Sequence, residues 1–432
     1  MLKKRYTVLT VDIVVMLFSG LLYTWSVFVT PLEADFDWTR SQTSLTFTLC
    51  SLVTTIAAFL SATLAKKIGP HRVMRLAALI ALAGFGLTSR ITALWQLYLC
   101  FGIIGAFAIG STYNQILGTI VRWFGDRSSL VTGIMLMCYG MGSMILSPVN
   151  SLLIQAVGWR NTFMILAVTG FVLMMGGSFF IRYPNETEEE ALASLRAKAS
   201  SKNTAGSGLS PDTDRGNLSG QPANQYQPKE LNFTFIDMIK TPAFWFMALW
   251  NLSVAAIGLT MSSHASPIAQ TIGLGATAAA FYAGIVSLCN GVGRVILGAV
   301  FDRIGYKKTM MLVSFISISA GLLLILSYKT ENPVFLFIAF MACGFSFSGG
   351  PICSASYVKS VFGPKNYPQN IGFANLNVII ASIIGPYLSA LIYQSGGYMA
   401  VFPAIVAFGS ISLIFCLLLA RAAEKFLARH RS

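Results

Sequence analysis

The chain has 432 residues, of which 55% are hydrophobic and only 11% are charged. A soluble globular protein carries about a quarter charged residues, so this composition excludes an ordinary soluble domain and favours a membrane protein. The net charge of +14 would also suit a nucleic-acid-binding protein, but the positions of the basic residues argue against that class.

Long apolar runs recur along the whole chain. An α-helix needs about 20 apolar residues to cross a bilayer, and the runs lack the ~10-residue alternating pattern of a membrane β-barrel. We therefore predict an all-α membrane protein with twelve transmembrane helices. Their predicted bounds are Val8–Thr30, Thr43–Ala65, Val73–Ser89, Leu94–Ile120, Leu130–Ala156, Thr162–Ile181, Pro242–Thr271, Ala276–Phe301, Thr309–Leu326, Val334–Tyr357, Ile371–Tyr393 and Ala400–Ala420.

Basic residues fall almost entirely on one side of these spans. With the N-terminus inside, the inner segments hold 25 of the 30 lysines and arginines, the outer loops hold four, and Arg294 lies within a span. Positive charge marks the cytoplasmic side of a membrane protein, so both termini are predicted to be cytoplasmic and no nucleic-acid partner is expected. The seven cysteines lie in the spans without metal-ligand spacing, so neither a metal nor another cofactor is predicted.

The spans divide into two groups of six. Residues 182–241 are charged at first and then rich in Ser, Gly, Asn and Pro, which predicts a cytoplasmic linker that ends in an interfacial helix. Residues 1–181 are then an N-terminal six-helix bundle, and residues 242–432 are a C-terminal six-helix bundle with a basic tail. We refer to these two bundles as the first and second halves.

Landmarks repeat between the halves at a nearly constant offset. Pro31 and Pro267 lie 236 residues apart, as do Gly69 and Gly305. The strings "VRWFG" and "KSVFG", and the strings "YGMGSMILSP" and "NVIIASIIGP", repeat at 238 residues. The chain is therefore predicted to be a duplicated six-helix unit, in which the substrate site lies near the midplane between the halves.

A charged segment, "GAVFDRIGYKK", interrupts the apolar sequence at residues 298–308. It resembles the loop signature G-x-x-x-D-R-x-G-x-K/R-K/R of the major facilitator superfamily, where this loop is a latch that stabilises one end of the transport cycle. The first-half copy, "ATLAKKIGPHR", carries Lys66 where the second carries Asp302. Since a lysine is not an anionic partner, we predict that only the second latch is intact. Its residues are Gly298, Asp302, Arg303, Gly305, Lys307 and Lys308.

Longer stretches resemble the oxalate:formate antiporter family of that superfamily, which is related to the monocarboxylate transporters. They are "GLLYTWSVFVTPL", "NQILGTIVRWFGDRSSLVTGI", "YGMGSMILSP", "FTFIDMIKTPAFW" and "NGVGRVILGAVFDRIG". The resemblance covers most of the chain. It implies the major facilitator fold of two pseudo-symmetric six-helix bundles and a secondary carrier for a small organic anion.

Arg294 is the leading substrate-binding candidate. It lies eight residues before Asp302, which places a permanent positive charge about 12 Å from the inner boundary. An arginine inside a membrane usually faces a cavity or a partner, and its planar fork suits a carboxylate. No acidic residue is predicted near the midplane, so the missing counter-ion is interpreted as the substrate. The alternative interpretation is that Arg294 bonds to backbone carbonyls or water and serves only packing. The resemblance places the family's substrate-binding arginine at the same position.

Asn290 lies one turn before Arg294 on the same helix face. The monocarboxylate transporters have an aspartate at the matching position, and the oxalate-type carriers have a lysine in the eleventh span that this chain lacks. One midplane cation favours a monoanion over the oxalate dianion.

Neutral and titratable side chains complete the predicted sites. Further substrate-binding candidates are Tyr113, Tyr139, Asn377, Tyr23 and Trp25, and the alternative interpretation of each is helix packing or interfacial anchoring. His264 and Asp12 are alternative proton sites, with polar packing as the other interpretation of His264 and a favourable helix-terminus position as that of Asp12.

The sequence therefore predicts a monomeric inner-membrane carrier of a small monocarboxylate that works by anion antiport or proton symport and interacts with the lipid bilayer. Efflux of a drug-like or sugar substrate is the alternative within transport, and a membrane anion sensor is the alternative outside it. No enzyme motif or Walker loop is present in the sequence. The particular acid, the direction of flux and the role of the central loop are not predicted.

Overall fold

The computed structural model describes residues 2–124, 128–185, 188, 192, 233–363, 366–374 and 376–431. Residues 193–232, which hold most of the predicted linker, lie outside the described residues. Within the described ranges, every element of regular secondary structure is helical. The α-helices are α1 (Leu2–Ser19), α2 (Trp25–Phe36), α3 (Arg40–Ile68), α4 (Pro70–Thr88), α5 (Leu94–Leu97), α6 (Ala106–Trp123), α7 (Ser128–Ser178), α8 (Phe235–Ile239), α9 (Pro242–Thr271), α10 (Ala276–Thr330), α11 (Pro333–Phe362), α12 (Tyr367–Ala374), α13 (Asn377–Ile383) and α14 (Ser389–Arg431).

Short segments of tighter or wider helix join some of these elements. A 3₁₀ turn, Gly20–Thr24, connects α1 to α2. Wider π-helical segments connect α5 to α6 (Tyr98–Gly105) and α13 to α14 (Ile384–Leu388). Segments of this kind often occur at functional sites or where a helix bends.

Nine helical segments in the described part of the chain are long and apolar enough to cross a membrane. Three of them have 49, 55 and 48 residues, which is enough for two crossings of about 20 residues each. Each of these three is broken by a glycine with positive φ, namely Gly158, Gly305 or Gly397. Each is therefore long enough for two spans joined at that glycine, which brings the described spans to twelve. The predicted span Ile371–Tyr393 differs in detail, because residue 375 lies outside the described residues and the apolar stretch begins at Asn377.

Threonine side chains cap the two helices at the start of the second half. Thr234 caps the short helix α8 by accepting a hydrogen bond from the backbone of Asp237. Thr241 caps α9 in the same way, and Pro242 is the first helical residue, as the sequence predicts.

The predicted repeat is visible in the backbone. Gly69 and Gly305 both adopt positive φ, at 85° and 76°, where the chain turns between spans. Asp37 and Gly273 are also 236 residues apart, and both have positive φ at the end of a Pro-containing span. The two halves therefore use the same turn at corresponding positions, as a pseudo-symmetric fold requires.

Close contact between α7 and α10 forms one interface between the halves. Gly140 packs against the backbone of Ser287, and Gly284 packs against the backbone of Met144. Gly291 lies against the backbone of Met137 further toward the cavity. Small residues let membrane helices approach closely, so α7 and α10 position the residues that face each other across the midplane.

We expect Gly142→Ala to lower the thermal stability of the protein strongly. A Cβ at this position would overlap the carbonyl oxygen of Leu17, so α1 and α7 would have to separate. Gly118→Ala is the matched control, since a Cβ there meets no atom within 4 Å and alanine favours a helix. The measurement is the melting temperature in detergent. An equal melting temperature for the two variants would contradict this packing.

Candidate functional site

Arg294 of α10 lines a cavity of about 780 Å³ between the two halves. Residues of α6 and α7 line it on one side, and residues of α10 and α11 line it on the other. Among the described residues that line the cavity, Arg294 is the only basic side chain. Its Nε is buried and has no hydrogen-bond partner among the described residues.

Three tyrosines of the first half surround the guanidinium. Tyr139 packs edge-to-face against Tyr23 at 5.4 Å and against Tyr113 at 5.2 Å between ring centroids. The positive charge of Arg294 acts on all three phenol groups. The fold thus brings together four of the predicted substrate-binding residues, from the 3₁₀ turn and from α6, α7 and α10.

Asn290 lies one turn from Arg294 and is 5% exposed. Its Oδ1 has no hydrogen-bond partner among the described residues. A buried polar atom without a partner is unfavourable, and a ligand or a water molecule is the usual way to satisfy it. Asn290 and Arg294 thus offer an acceptor and a charged donor side by side.

Trp25 and Asn377 are not brought to this group. Trp25 is completely buried in the core of the first half, where its ring packs on Phe101 at a centroid distance of 4.8 Å. Asn377 accepts a hydrogen bond from Asn251 (3.2 Å) and donates one to the carbonyl of Ala248 (3.1 Å), so its contacts lie between α13 and α9. These contacts agree with the packing interpretation, although the buried Nε1 of Trp25 has no hydrogen-bond partner among the described residues.

A second cluster of polar side chains joins the halves at the end that the charge distribution predicts to be outside. We call this cluster the outer closure, and it contains Glu33, Arg40, Thr43 and Tyr398. Arg40 donates two hydrogen bonds of 2.7 Å to the carboxylate of Glu33, and Thr43 donates a third to the same carboxylate. Arg40 also donates to the hydroxyl of Tyr398, which belongs to the second half. Arg40 is one of the four basic residues of the predicted outer loops, and its contact with Tyr398 was not predictable from the sequence.

His264 of the second half lies in the same group and is fully buried. Its Nε2 is 3.1 Å from the carbonyl oxygen of Pro386 and 3.3 Å from the hydroxyl of Ser44, and its Nδ1 is 3.4 Å from the Tyr398 hydroxyl. The contact to Ser44 crosses between the halves. These contacts use both ring nitrogens of the buried imidazole and agree with the polar-packing interpretation, while the proton-site role stays a prediction.

Further hydrogen bonds join the halves near the same end. Gln394 donates to Ser41, Thr48 donates to the carbonyl of Ser382, and Gln155 donates to Thr277. The cavity beside Arg294 lies at the opposite end, between the start of α7 and the part of α10 that precedes Gly305. The structure is therefore closed at the end predicted to be outside and open at the end predicted to be cytoplasmic.

Asp12, the other predicted proton site, lies in α1 with no exposed surface. Neither carboxylate oxygen has a hydrogen-bond partner among the described residues. Asp12 therefore makes no hydrogen bond to the described basic residues at the start of the chain, which the helix-terminus interpretation would favour. A buried carboxyl without a partner is costly when ionised, which keeps Asp12 a candidate for proton binding.

The latch residues lie at the inner opening of the cavity. Asp302 and Gly298 line the cavity, and Asp302 is exposed and has no hydrogen bond among the described residues. Arg303 and Lys308 are also exposed. Lys307 forms an ion pair with Glu424 of α14 at 3.1 Å. In this conformation, which is open at the end predicted to be cytoplasmic, Asp302 is thus not engaged with a helix N-terminus.

We expect Asp302→Asn to impair transport far more than Lys66→Asn, by about tenfold or more. Asp302 can stabilise the inward-closed state as a helix-terminus acceptor, whereas Lys66 at the corresponding position is exposed and cationic. The check is the initial rate of uptake at equal amounts of folded protein. Equal rates for the two variants would show that the two loops are equivalent.

The start of the central segment is attached to the inner surface of the first half. Arg182 donates two hydrogen bonds of 2.7 Å to the carboxylate of Glu188. These bonds lower the pKa of Glu188 to about 2, so the pair stays charged throughout the physiological pH range. Trp123 donates from Nε1 to the carbonyl of Arg182, which ties the same point to α6.

Comparison with known sequences assigns the chain to one family of transporters. The family model described as Major Facilitator Superfamily matches residues 12–305 and 251–431. The MFS-type transporter YhjX of Escherichia coli K12 is 26% identical over 88% of this chain and 86% of its own length. The oxalate:formate antiporter of Oxalobacter formigenes is 26% identical over 94% of this chain and 90% of its own. Monocarboxylate transporter 12 of Rattus norvegicus is 23% identical over 87% and 77%.

Solved structures share the fold over nearly the whole chain. The nucleoside transporter NupG superposes with a TM-score of 0.70 at 13% identity and covers 96% of this chain and 99% of its own. A bacterial homologue of the lysosomal transporter Spinster, in an inward-facing and unoccupied conformation, gives a TM-score of 0.66 at 14% identity, over 99% and 97%. At this identity the likeness establishes the fold alone.

Proposed function

The chain belongs to the Major Facilitator Superfamily, and from this premise we propose that it carries a small organic anion, a monocarboxylate, across the membrane by alternating access. Membership of this family and the relatives of the chain already support a multi-pass membrane transporter. The proposal adds the charge and the chemical class of the transported molecule.

The observation that carries the proposal is the position of Arg294. A permanent cation stands beside a cavity between the halves, with its Nε unpartnered and no basic neighbour among the described lining residues. Tyr113 is hydrogen-bonded to this guanidinium, but no carboxylate among the described residues is paired with it. A charge at this depth costs about 2.5–3.5 kcal/mol on insertion scales, and a bound carboxylate would offset that cost. Arg294 binds the carboxylate, and Asn290, Tyr23, Tyr113 and Tyr139 supply neutral polar contacts.

The difference between the two ends of the molecule supports alternating access. The outer closure joins the halves in the present conformation, while the inner cavity gives the cargo access to Arg294 from the cytoplasm. In the opposite state the contacts of Tyr398 with Arg40 are broken and the latch around Asp302 is engaged.

The coupling mode is either anion antiport or proton symport. Asp12 is the better proton site of the two candidates, because His264 is already hydrogen-bonded on both ring nitrogens. We further propose that both termini are cytoplasmic, that the protein lies in a bacterial inner membrane and that it works as a monomer.

Uptake into proteoliposomes tests the proposal. Purified protein is reconstituted and supplied with a panel of labelled carboxylates, with and without a trans anion and with and without an inward pH gradient. Saturable uptake that needs the trans anion indicates antiport, and stimulation by an acidic exterior indicates symport. Absence of saturable uptake for every carboxylate in the panel would overturn the proposal.

A further inference from the structure

The wall of the cavity beside Arg294 is almost entirely aliphatic. On the first-half side it is formed by Ile134, Leu136 and Met137, and on the second-half side by Val295 and Ile352. These five side chains offer no hydrogen-bond donor or acceptor to a ligand, apart from the weak acceptor sulfur of Met137. A group that lies against them must itself be apolar to bind well.

The cavity has few polar side chains, and they differ in charge. Apart from Arg294, the described lining side chains with hydrogen-bonding capacity are Thr132 and Asp302. Asp302 is an anion two helical turns from Arg294, so a second carboxylate on the ligand would meet repulsion and no second cation. The lining thus selects against a dicarboxylate.

The opposite side of Arg294 is aromatic. Tyr139 packs edge-to-face against both Tyr23 and Tyr113, and Tyr113 is hydrogen-bonded to the guanidinium of Arg294. Phenol groups can donate one hydrogen bond each to a carboxylate, while their rings add apolar surface. The polar part of the site is therefore confined to the immediate surroundings of Arg294.

We infer that the cargo is an amphipathic monocarboxylate, whose carboxylate binds Arg294 and whose unsubstituted hydrocarbon body lies along the wall formed by Met137, Val295 and Ile352. This inference rests on the proposed function and narrows its substrate class. It excludes dicarboxylates such as oxalate and ranks hydroxylated acids below their plain hydrocarbon counterparts.

The inference makes a quantitative prediction for a homologous series. Each buried methylene contributes about 0.8 kcal/mol, which corresponds to about fourfold in affinity. We expect affinity to rise by about that factor per methylene from acetate through butyrate to hexanoate, and to fall for 3-hydroxybutyrate relative to butyrate. The measurement is the ligand-induced shift in melting temperature of the purified protein, titrated with each acid at constant ionic strength. This readout avoids diffusion of the neutral acids through lipid.

Three variants test whether the wall residue Ile352 causes the effect. Ile352→Thr is expected to lower the ratio of hexanoate to acetate affinity about fourfold, and Ile352→Val is expected to retain most of it. Ile338→Thr is the control, because Ile338 lies on the same helix, is 45% exposed and does not line the cavity. It should leave the ratio at the wild-type value.

The outcomes separate this inference from the proposed function. A flat series, or tightest binding of acetate or oxalate, with binding still lost in Arg294→Lys, overturns the hydrocarbon body and leaves the anion carrier in place. Equal affinity for hexanoate and hexanamide contradicts both, since the carboxylate would then contribute nothing. A graded series that Ile352→Thr compresses and Ile338→Thr does not supports the inference.

Discussion

Arg294→Lys is expected to lower carboxylate uptake about a hundredfold, although the positive charge is kept. An arginine presents two parallel N–H donors that match both oxygens of a carboxylate, whereas a lysine is a compact point donor on a flexible stem. Losing one charge-assisted hydrogen bond and its geometry at a desolvated site corresponds to about 2–5 kcal/mol, and about 3 kcal/mol is a hundredfold. Initial rates of uptake in proteoliposomes, at matched protein density, measure the effect.

The control for this prediction is Arg90→Lys. Arg90 lies in an exposed position at the predicted outer end, far along the chain from the cavity residues, and the same chemical change there should leave uptake unaltered. Normal uptake by Arg294→Lys would remove the bidentate contact from the mechanism. A loss of folded protein is separated from a loss of binding by comparing the melting temperatures of the two variants.

Tyr398→Phe is expected to shift the protein toward the outward-open state by about thirtyfold. The hydroxyl of Tyr398 accepts from Arg40 of the first half and contacts His264, and the variant removes both interactions while it keeps the ring. A hydrogen bond to a charged group contributes about 1.5–3 kcal/mol, and a shift of about 2 kcal/mol changes a two-state ratio by about thirtyfold.

Spin labels on opposite halves report this shift. Cysteines introduced at Arg90 and Lys329 are both exposed near the outer end, and the seven native cysteines are buried. The distance distribution between the labels should gain a long component in Tyr398→Phe. Tyr282→Phe is the control, because Tyr282 makes its ring contacts within the second half. A distribution that does not change in Tyr398→Phe would mean that the hydroxyl does not hold the outer end closed.

Elements with local causes were predictable from the sequence. The spans follow from runs of apolar residues, the turn at Gly305 from a charged break with a glycine, and the start of α9 from a proline behind a threonine. Arg294 was identifiable because an arginine inside an apolar run needs a partner. Its position beside the cavity agrees with that argument, and its role as a substrate ligand stays a prediction.

Contacts between distant parts of the chain were not predictable. Arg40 and Tyr398 are separated by 358 residues, and nothing in either local sequence indicates the other. Tyr23 and Trp25 were treated alike because they stand in one motif, yet Tyr23 belongs to the 3₁₀ turn and faces Arg294, whereas Trp25 begins α2 and faces Phe101. The change of helix type at this point alters the direction of successive side chains, and hydrophobic periodicity does not reveal it.

The outer closure also bears on how fast the molecule can cycle. The ion pair between Arg40 and Glu33 lies wholly within the first half, with side chains only 10% and 16% exposed. Opening toward the outside therefore leaves these opposite charges together, and the hydrogen bonds described between the halves at this end all go to neutral groups. Separating a buried ion pair would cost about 3–5 kcal/mol, so confining it to one half avoids a slowing of each turnover by roughly two to four orders of magnitude.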